Sequence, residues 1–98
     1  LNLAKPEVKD YLFDAVKNWV NEYDIDGLRL DVAYCLDRKF LSELRHFTDG
    51  LKNGFVLMGE TLHGDYNQWV NDNACYSVTN YECYKAFIQV LILQTCMK

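Results

Sequence analysis

The chain has 98 residues, half of them hydrophobic and 14% aromatic, and carries a formal net charge of -4. This composition is globular rather than disordered, and the length sets a limit of one domain. The ten basic residues are scattered, never more than two in a row, which excludes a basic nucleic-acid surface, and the acidic balance does not favour anionic membranes.

The first predicted element is a helix starting near Pro6, a residue suited to the first helical position. Val8, Tyr11, Leu12, Ala15, Val16, Trp19, Val20 and Tyr23 recur at the three-and-four spacing of one helical face, and Glu7 sits in the first turn, where the helix dipole favours negative charge. Asp24-Ile25-Asp26-Gly27 breaks the pattern with turn formers. Leu28 to Val32 reads as a short strand, and Ala33 to Leu36 as its exit. A second helix begins at Asp37 or Arg38, with Phe40, Leu41, Leu44, Phe47 and Leu51 as its buried stripe and Gly50 or Gly54 to end it. His46 lies on this helix and is expected to face solvent.

Phe55 to Met58 is a continuous apolar run, as expected of a strand covered on both faces. Thr61 to Ala74 is polar and aromatic and long for a connecting loop, and such loops tend to be functional. Asp65, Asp72 and Asn73 read as turn residues within it. Cys75 to Thr79 is a candidate third strand, and Cys83 to Met97 a final helix. The order helix, strand, helix, strand implies a right-handed parallel crossover. Three strands cannot close a barrel, so the chain is either a small self-sufficient α/β layer or a piece of a larger barrel.

Cys35, Cys75, Cys83 and Cys96 form no CxxC or Cys/His ligand spacing, so no zinc site is expected; the thiols read as reduced and mostly buried, in keeping with a cytoplasmic location. Leu1 to Pro6 is too short and too mixed for a signal peptide. The apolar run Phe87 to Leu93 falls well below the roughly 20 residues of a membrane span.

Two acidic residues end the two apolar runs: Asp31 closes Gly27-Leu28-Arg29-Leu30-Asp31, and Glu60 closes Phe55-Val56-Leu57-Met58-Gly59-Glu60. A carboxylate where a buried strand emerges loses much of its hydration, which packing alone does not repay. Residues two apart on a strand point to one side, so Arg29 lies beside Asp31 and favours its ionised form, as a nucleophile requires. The apolar residues before Gly59 predict a raised pKa for Glu60, which suits a general acid. Strands about 4.8 Å apart can bring two carboxyl groups to the roughly 5–5.5 Å of a retaining glycosidase. Arg29 and Asp31 would equally suit a buried ion pair without a catalytic task.

Asp26-Gly27-Leu28-Arg29-Leu30-Asp31-Val32-Ala33 resembles the fourth-strand segment of the α-amylase family, glycoside hydrolase family 13. Gly59-Glu60 after an apolar strand resembles its fifth-strand segment, and Ser77-Val78-Thr79-Asn80-Tyr81 its sixth-strand exit. Leu1-Asn2-Leu3-Ala4-Lys5-Pro6-Glu7-Val8 is similar to the stretch before the family's third helix. The resemblance covers residues 1–86 in the correct order; residues 87–98 are an unmatched apolar tail.

The resemblance implies an α/β fold, a fragment of a (β/α)8 TIM barrel with parallel strands alternating with helices. It implies Asp31 as nucleophile, Glu60 as acid/base and Arg29 as the group orienting Asp31. The reaction implied is retaining cleavage or transfer at α-glucosidic bonds of starch-like or malto-oligosaccharide substrates. Tyr34, His63, Tyr66 and Trp69 are candidate sugar-binding residues. Many α-amylases carry Lys-His where Tyr34 and Cys35 stand, which leans toward an oligosaccharide-acting subgroup.

The family's third-strand Asn-His and seventh-strand His-Asp segments are absent from these 98 residues. No calcium, other metal or cofactor is therefore expected, and the chain by itself is expected to be inactive. Homo-oligomers are expected through the faces of Leu28, Leu30, Phe55 and Leu57 and the C-terminal apolar helix, with no nucleic-acid or membrane partner. The rivals are a non-enzymatic homologue that retains the barrel segment, serving as an interaction module, and an unrelated small α/β domain with two coincidental acids.

Overall fold

The structure, a computed structural model, describes residues 2–96, with the side chains of residues 2–94. Helix α1 spans Pro6–Tyr23 with Pro6 in its first turn, and Asp24 ends it in the left-handed conformation, its N–H donating to the carbonyl of Val20. Strand β1 is Gly27–Leu30, α2 is Arg38–Leu51, β2 is Val56–Gly59, β3 is Ser77–Val78 and α3 is Tyr81–Cys96. Single 3-10 turns at Ala33–Cys35 and Tyr66–Gln68 follow β1 and β2. Among the described residues the strands form one parallel sheet in the order β1-β2-β3.

The sequence places these elements within a few residues. The strands are shorter than expected at β1 and β3: Asp31-Val32 turn out of the sheet, and of Cys75 to Thr79 only Ser77–Val78 are paired as strand, although the Tyr76 and Thr79 N–H groups still donate to the Leu57 and Gly59 carbonyls of β2. An isolated bridge joins Val70 to Cys75 just before β3. Helix α3 begins at Tyr81, two residues earlier than expected; its expected end at Met97 lies outside the described residues.

Alternation along the strands sorts the side chains into two faces. Leu28, Leu30 and Leu57 join Val20, Phe40, Leu44 and Phe55 in a cluster beneath α1 and α2. Leu57 is fully buried and Phe55 nearly so. Phe55 and Leu57 are therefore not the open faces the sequence suggested, whereas Leu28 and Leu30 remain half-buried. The open face carries Arg29, Asp31 and Met58, which are exposed, and Glu60, which is partly covered. The helices have covered the apolar side of the sheet because that is where burial releases the most structured water.

Phe13, outside the predicted stripe of α1, stacks on Phe47 at 4.8 Å and 17° and tilts against Phe40 at 5.8 Å. Tyr11 and Tyr23, inside that stripe, are exposed instead. Lys52, just past α2, binds Asp24 Oδ1 at 2.5 Å and Asp26 Oδ1 at 2.8 Å, tying the end of α2 to the turn between α1 and β1. Those two hydrogen bonds, from Asp24 first, raise the Lys52 pKa above its ordinary 10.5.

Two arginines of α2 hold the long loop before β3. Arg38 donates to Gln68 Oε1 at 2.6 Å and lies 4.6 Å over the Trp69 ring, while Arg45 donates to the Ala74 carbonyl at 2.8 Å. Helix α3 stands apart: the chain extends 57 Å along its longest axis and has a radius of gyration of 16.9 Å, against about 13 Å for a compact chain of this length. Tyr84, Phe87, Val90, Ile92 and Leu93 of α3 are exposed. A helix this apolar on all sides is one that normally sits within a larger body.

Candidate active site

The site is built where β1 and β2 end together. Leu30 pairs with Gly59 in the ladder, and the Glu60 N–H donates to the Leu30 carbonyl at 2.9 Å, so Asp31 and Glu60 leave the sheet side by side. Two glycines permit this close approach. A Cβ on Gly27 would stand 2.5 Å from the Val56 carbonyl oxygen, and one on Gly59 would stand 2.8 Å from Cys75 Sγ and 3.0 Å from Ala33 Cβ.

Arg29 bridges the two acids. Its Nη1 lies 3.0 Å from Asp31 Oδ1 and its Nη2 lies 3.3 Å from Glu60 Oε1. The arginine beside Asp31 is the arrangement the sequence predicted, and the second contact to Glu60 is additional. Asp31 is exposed at its side chain (78%), whereas Glu60 is largely covered (15%).

Glu60 Oε2 accepts the Val32 N–H at 3.0 Å, and Glu60 Oε1 accepts the Tyr81 O–H at 3.2 Å. Val32 makes its contact from a left-handed conformation, φ 43° and ψ 48°, which a β-branched residue seldom adopts. Strain of this kind persists only where surrounding structure enforces it, and it clusters at functional sites. Here it turns the amide after Asp31 toward Glu60.

The raised pKa expected for Glu60 is overturned. The Val32 N–H first, with the Tyr81 O–H and the Arg29 charge beside it, holds its carboxyl below the ordinary 4.5, outweighing desolvation. Phe55 and Leu57 lie buried behind the sheet and Met58 is exposed on its open face, so they do not enclose this carboxyl in an apolar pocket. Donors arriving from the end of β1 and the start of α3 set its surroundings instead.

Tyr34 sits on the turn after Asp31 and meets His63, on the loop after Glu60, edge to face at 6.5 Å between ring centroids. These two expected sugar-binding residues are thus brought together, each on the segment that follows one of the acids. Tyr66 and Trp69 are placed differently. The Tyr66 hydroxyl accepts the Glu82 N–H at 3.2 Å, capping the start of α3, and Trp69 packs against Leu41, Ala74 and Cys75 with Arg38 over its ring. His46 is exposed, as expected. Among the described side chains the thiols are less buried than expected: Cys75 is enclosed, and burial pushes its pKa up, but Cys35 and Cys83 are exposed, and the Cys96 side chain lies outside the described residues. Tyr81 and Val32 were not legible as site residues; the one signal for Tyr81 was its place just past a strand end, as with the two acids.

Parallel strands whose ends present an arginine-bridged pair of carboxylates, with covering helices behind, define a section of a parallel β/α barrel with a two-acid site. Comparison with known proteins agrees. The family model "Alpha amylase, catalytic domain" matches residues 1–92, and the chain belongs to the α-amylase family.

Among curated relatives, a cyclomaltodextrinase of Geobacillus thermopakistaniensis is 43% identical over 81 residues, 83% of this chain and 14% of the relative. An intracellular maltogenic amylase of Bacillus subtilis is 35% identical over 95 residues, 97% of this chain and 16% of the relative. The crystal structure of an Anoxybacillus α-amylase superposes with a TM-score of 0.78 at 34% identity, over 88% of this chain and 20% of that one. A solved cyclomaltodextrinase gives 0.77 at 34% identity, over 83% and 14% of the two chains. The chain thus spans about one-seventh to one-sixth of the length of these curated relatives.

Proposed function

We propose that these residues form the acid-pair segment of a retaining glycoside hydrolase that acts on α-glucosidic bonds of malto-oligosaccharides or cyclic glucans. Asp31 is the nucleophile: it is the more accessible of the two acids and is aimed by Arg29. Glu60 is the acid/base, donating a proton to the leaving oxygen and then taking one from water. Its low pKa sets a condition on the first step, because the donors that keep it ionised have to yield as substrate arrives. Tyr34 and His63 line the sugar site, while Tyr66 and Trp69 shape the loop that carries it.

The observation that carries this reading is the single guanidinium spanning both acids at 3.0 and 3.3 Å. An ion pair with no catalytic task needs one carboxylate; here a second is held against the first, at strand ends facing away from the core. The names of the relatives support the substrate class, and the word intracellular in one of them supports a cytoplasmic location. Among the described residues no helix is long and apolar enough to cross a membrane.

The 98 residues alone are expected to be inactive, since three strands enclose the site on one side only. The test is a chimera in which this chain replaces the matched 95-residue segment of the Bacillus subtilis enzyme. It should hydrolyse maltotriose, and Asp31→Asn should lower kcat/KM at least about a thousandfold, with tenfold corresponding to about 1.36 kcal/mol. Unchanged turnover in Asp31→Asn would refute the assignment.

A further inference from the structure

A general acid has to be held in one place through two protonation states, and most of the donors around Glu60 suit only one of them. The Val32 N–H on Oε2 and the Arg29 guanidinium on Oε1 can donate but never accept. Each favours the ionised carboxylate and has nothing to offer a carboxylic O–H. The Tyr81 hydroxyl, 3.2 Å from Oε1, is of a different kind, because a phenol both donates and accepts. With Glu60 ionised it donates to Oε1. With Glu60 protonated its O–H can turn to solvent, leaving an oxygen lone pair to receive the Glu60 proton.

We propose that Tyr81 is the positioning residue that keeps the Glu60 carboxyl in place through both protonation states. The proposal rests on the reading of Glu60 as acid/base. The setting of Tyr81 fits the task. It is the first residue of α3, half-buried, and the turn that carries it is fixed twice: Asn80 Oδ1 accepts the Cys83 N–H at 2.9 Å, and the Tyr66 hydroxyl accepts the Glu82 N–H at 3.2 Å. The Tyr66 contact thereby acquires a purpose, holding the phenol of Tyr81 against Glu60.

Among the described residues, the charged and titratable groups that bear on Glu60 are Arg29 and Asp31 from the end of β1 and Tyr81 from the start of α3; β3, Ser77–Val78, supplies none. The coupling is mutual. The hydrogen bond to Glu60, then the Glu60 charge, raises the Tyr81 phenol above its ordinary 10.0.

The test is a pair of titrations on the 98-residue chain, neither of which depends on activity. In Tyr81→Phe, with glutamate side chains labelled with carbon-13 at the carboxyl, the Glu60 midpoint should move up and its resonance should broaden as the carboxyl loses its fixed position. A Glu60 resonance as sharp as the parent's on both limbs of the titration, in a folded variant, overturns the proposal. In Glu60→Gln, ultraviolet titration of the tyrosines should show one phenol ionising at lower pH than in the parent chain. An unchanged tyrosine curve overturns the proposal as well, even where Tyr81→Phe does not fold. Failure of these titrations leaves the glycosidase reading standing, and an inactive chimera leaves the titrations standing.

Discussion

Replacing Gly59 with alanine puts a methyl group where the structure has no space for one. The added Cβ would lie 2.8 Å from Cys75 Sγ, 3.0 Å from Ala33 Cβ and 3.6 Å from Val78 Cγ1, whereas carbon contacts settle at about 3.5–4.0 Å. Neither close neighbour has an easy retreat, because Ala33 and Cys75 are both fully buried and the Ala33 methyl moves only with its backbone. Overpacking of this kind costs about 1–3 kcal/mol. For a chain of this size, 1 kcal/mol corresponds to about 4–8 °C in Tm, so the variant should melt roughly 5–20 °C lower.

Urea unfolding followed by circular dichroism measures the loss, and Cys75→Ala supplies the control. Alone, that substitution should destabilise by leaving a cavity; combined with Gly59→Ala it should remove the closest contact. The double variant should therefore be more stable than the sum of the two losses predicts, by about 0.5 kcal/mol or more. A loss below about 0.5 kcal/mol for Gly59→Ala, or strictly additive losses, would refute the claim that this glycine is there for close packing of β2 against the turn after Asp31.

Three further outcomes concern the core, the lysine clamp and α3. Leu57→Ala, at a position with no exposure, should cost about 2–5 kcal/mol in the same urea assay; a loss below 1 kcal/mol would contradict the cluster beneath α1 and α2. Lys52 has a folded pKa raised above 10.5 by Asp24 and Asp26, so its contribution to stability should be fully present below pH 10.5 and fall away as pH rises through the folded pKa. Lys52→Met should therefore lose stability at neutral pH and flatten the alkaline limb of the stability profile, and an alkaline limb identical to the parent's would count against the clamp. The isolated chain should associate with a second copy through α3, where six of the large hydrophobic side chains among the described residues are more than half exposed. Light scattering should show dimers or larger species that dissociate in Phe87→Glu, and a stable monomer at high micromolar concentration would contradict this.

The elements were legible because their signals are local. The three-and-four spacing in α1, Pro6 at its start and the unbroken apolar run of β2 each report on a few neighbouring residues. Asp31 and Glu60 stood out for the same reason, as charges at the ends of apolar runs, and Arg29 was placed beside Asp31 by the two-residue strand period alone.

What remained hidden depends on residues distant in the chain. The ionisation of Glu60 is set by Val32, 28 positions away, and Tyr81, 21 positions away, so its own strand gave the wrong sign. The left-handed turn at Val32 has no signature in a sequence where a glycine or asparagine would have announced it. Tyr66 and Trp69 read as free aromatics in a loop until Glu82 and Arg38 reached them from other elements. Phe55 and Leu57 looked exposed because their covering by α1 and α2 is a matter of topology rather than of composition.

The most direct test of the account is to trap the covalent intermediate. The chimera carrying these residues would be incubated with a fluorinated glucosyl fluoride, whose release from the enzyme is slow, and the protein digested for mass spectrometry. The peptide bearing Asp31 should carry one added glycosyl group, and the label should be lost in Asp31→Asn. A glycosyl group on any other residue, or turnover with Asp31 unlabelled, would contradict the assignment of the arginine-bridged pair.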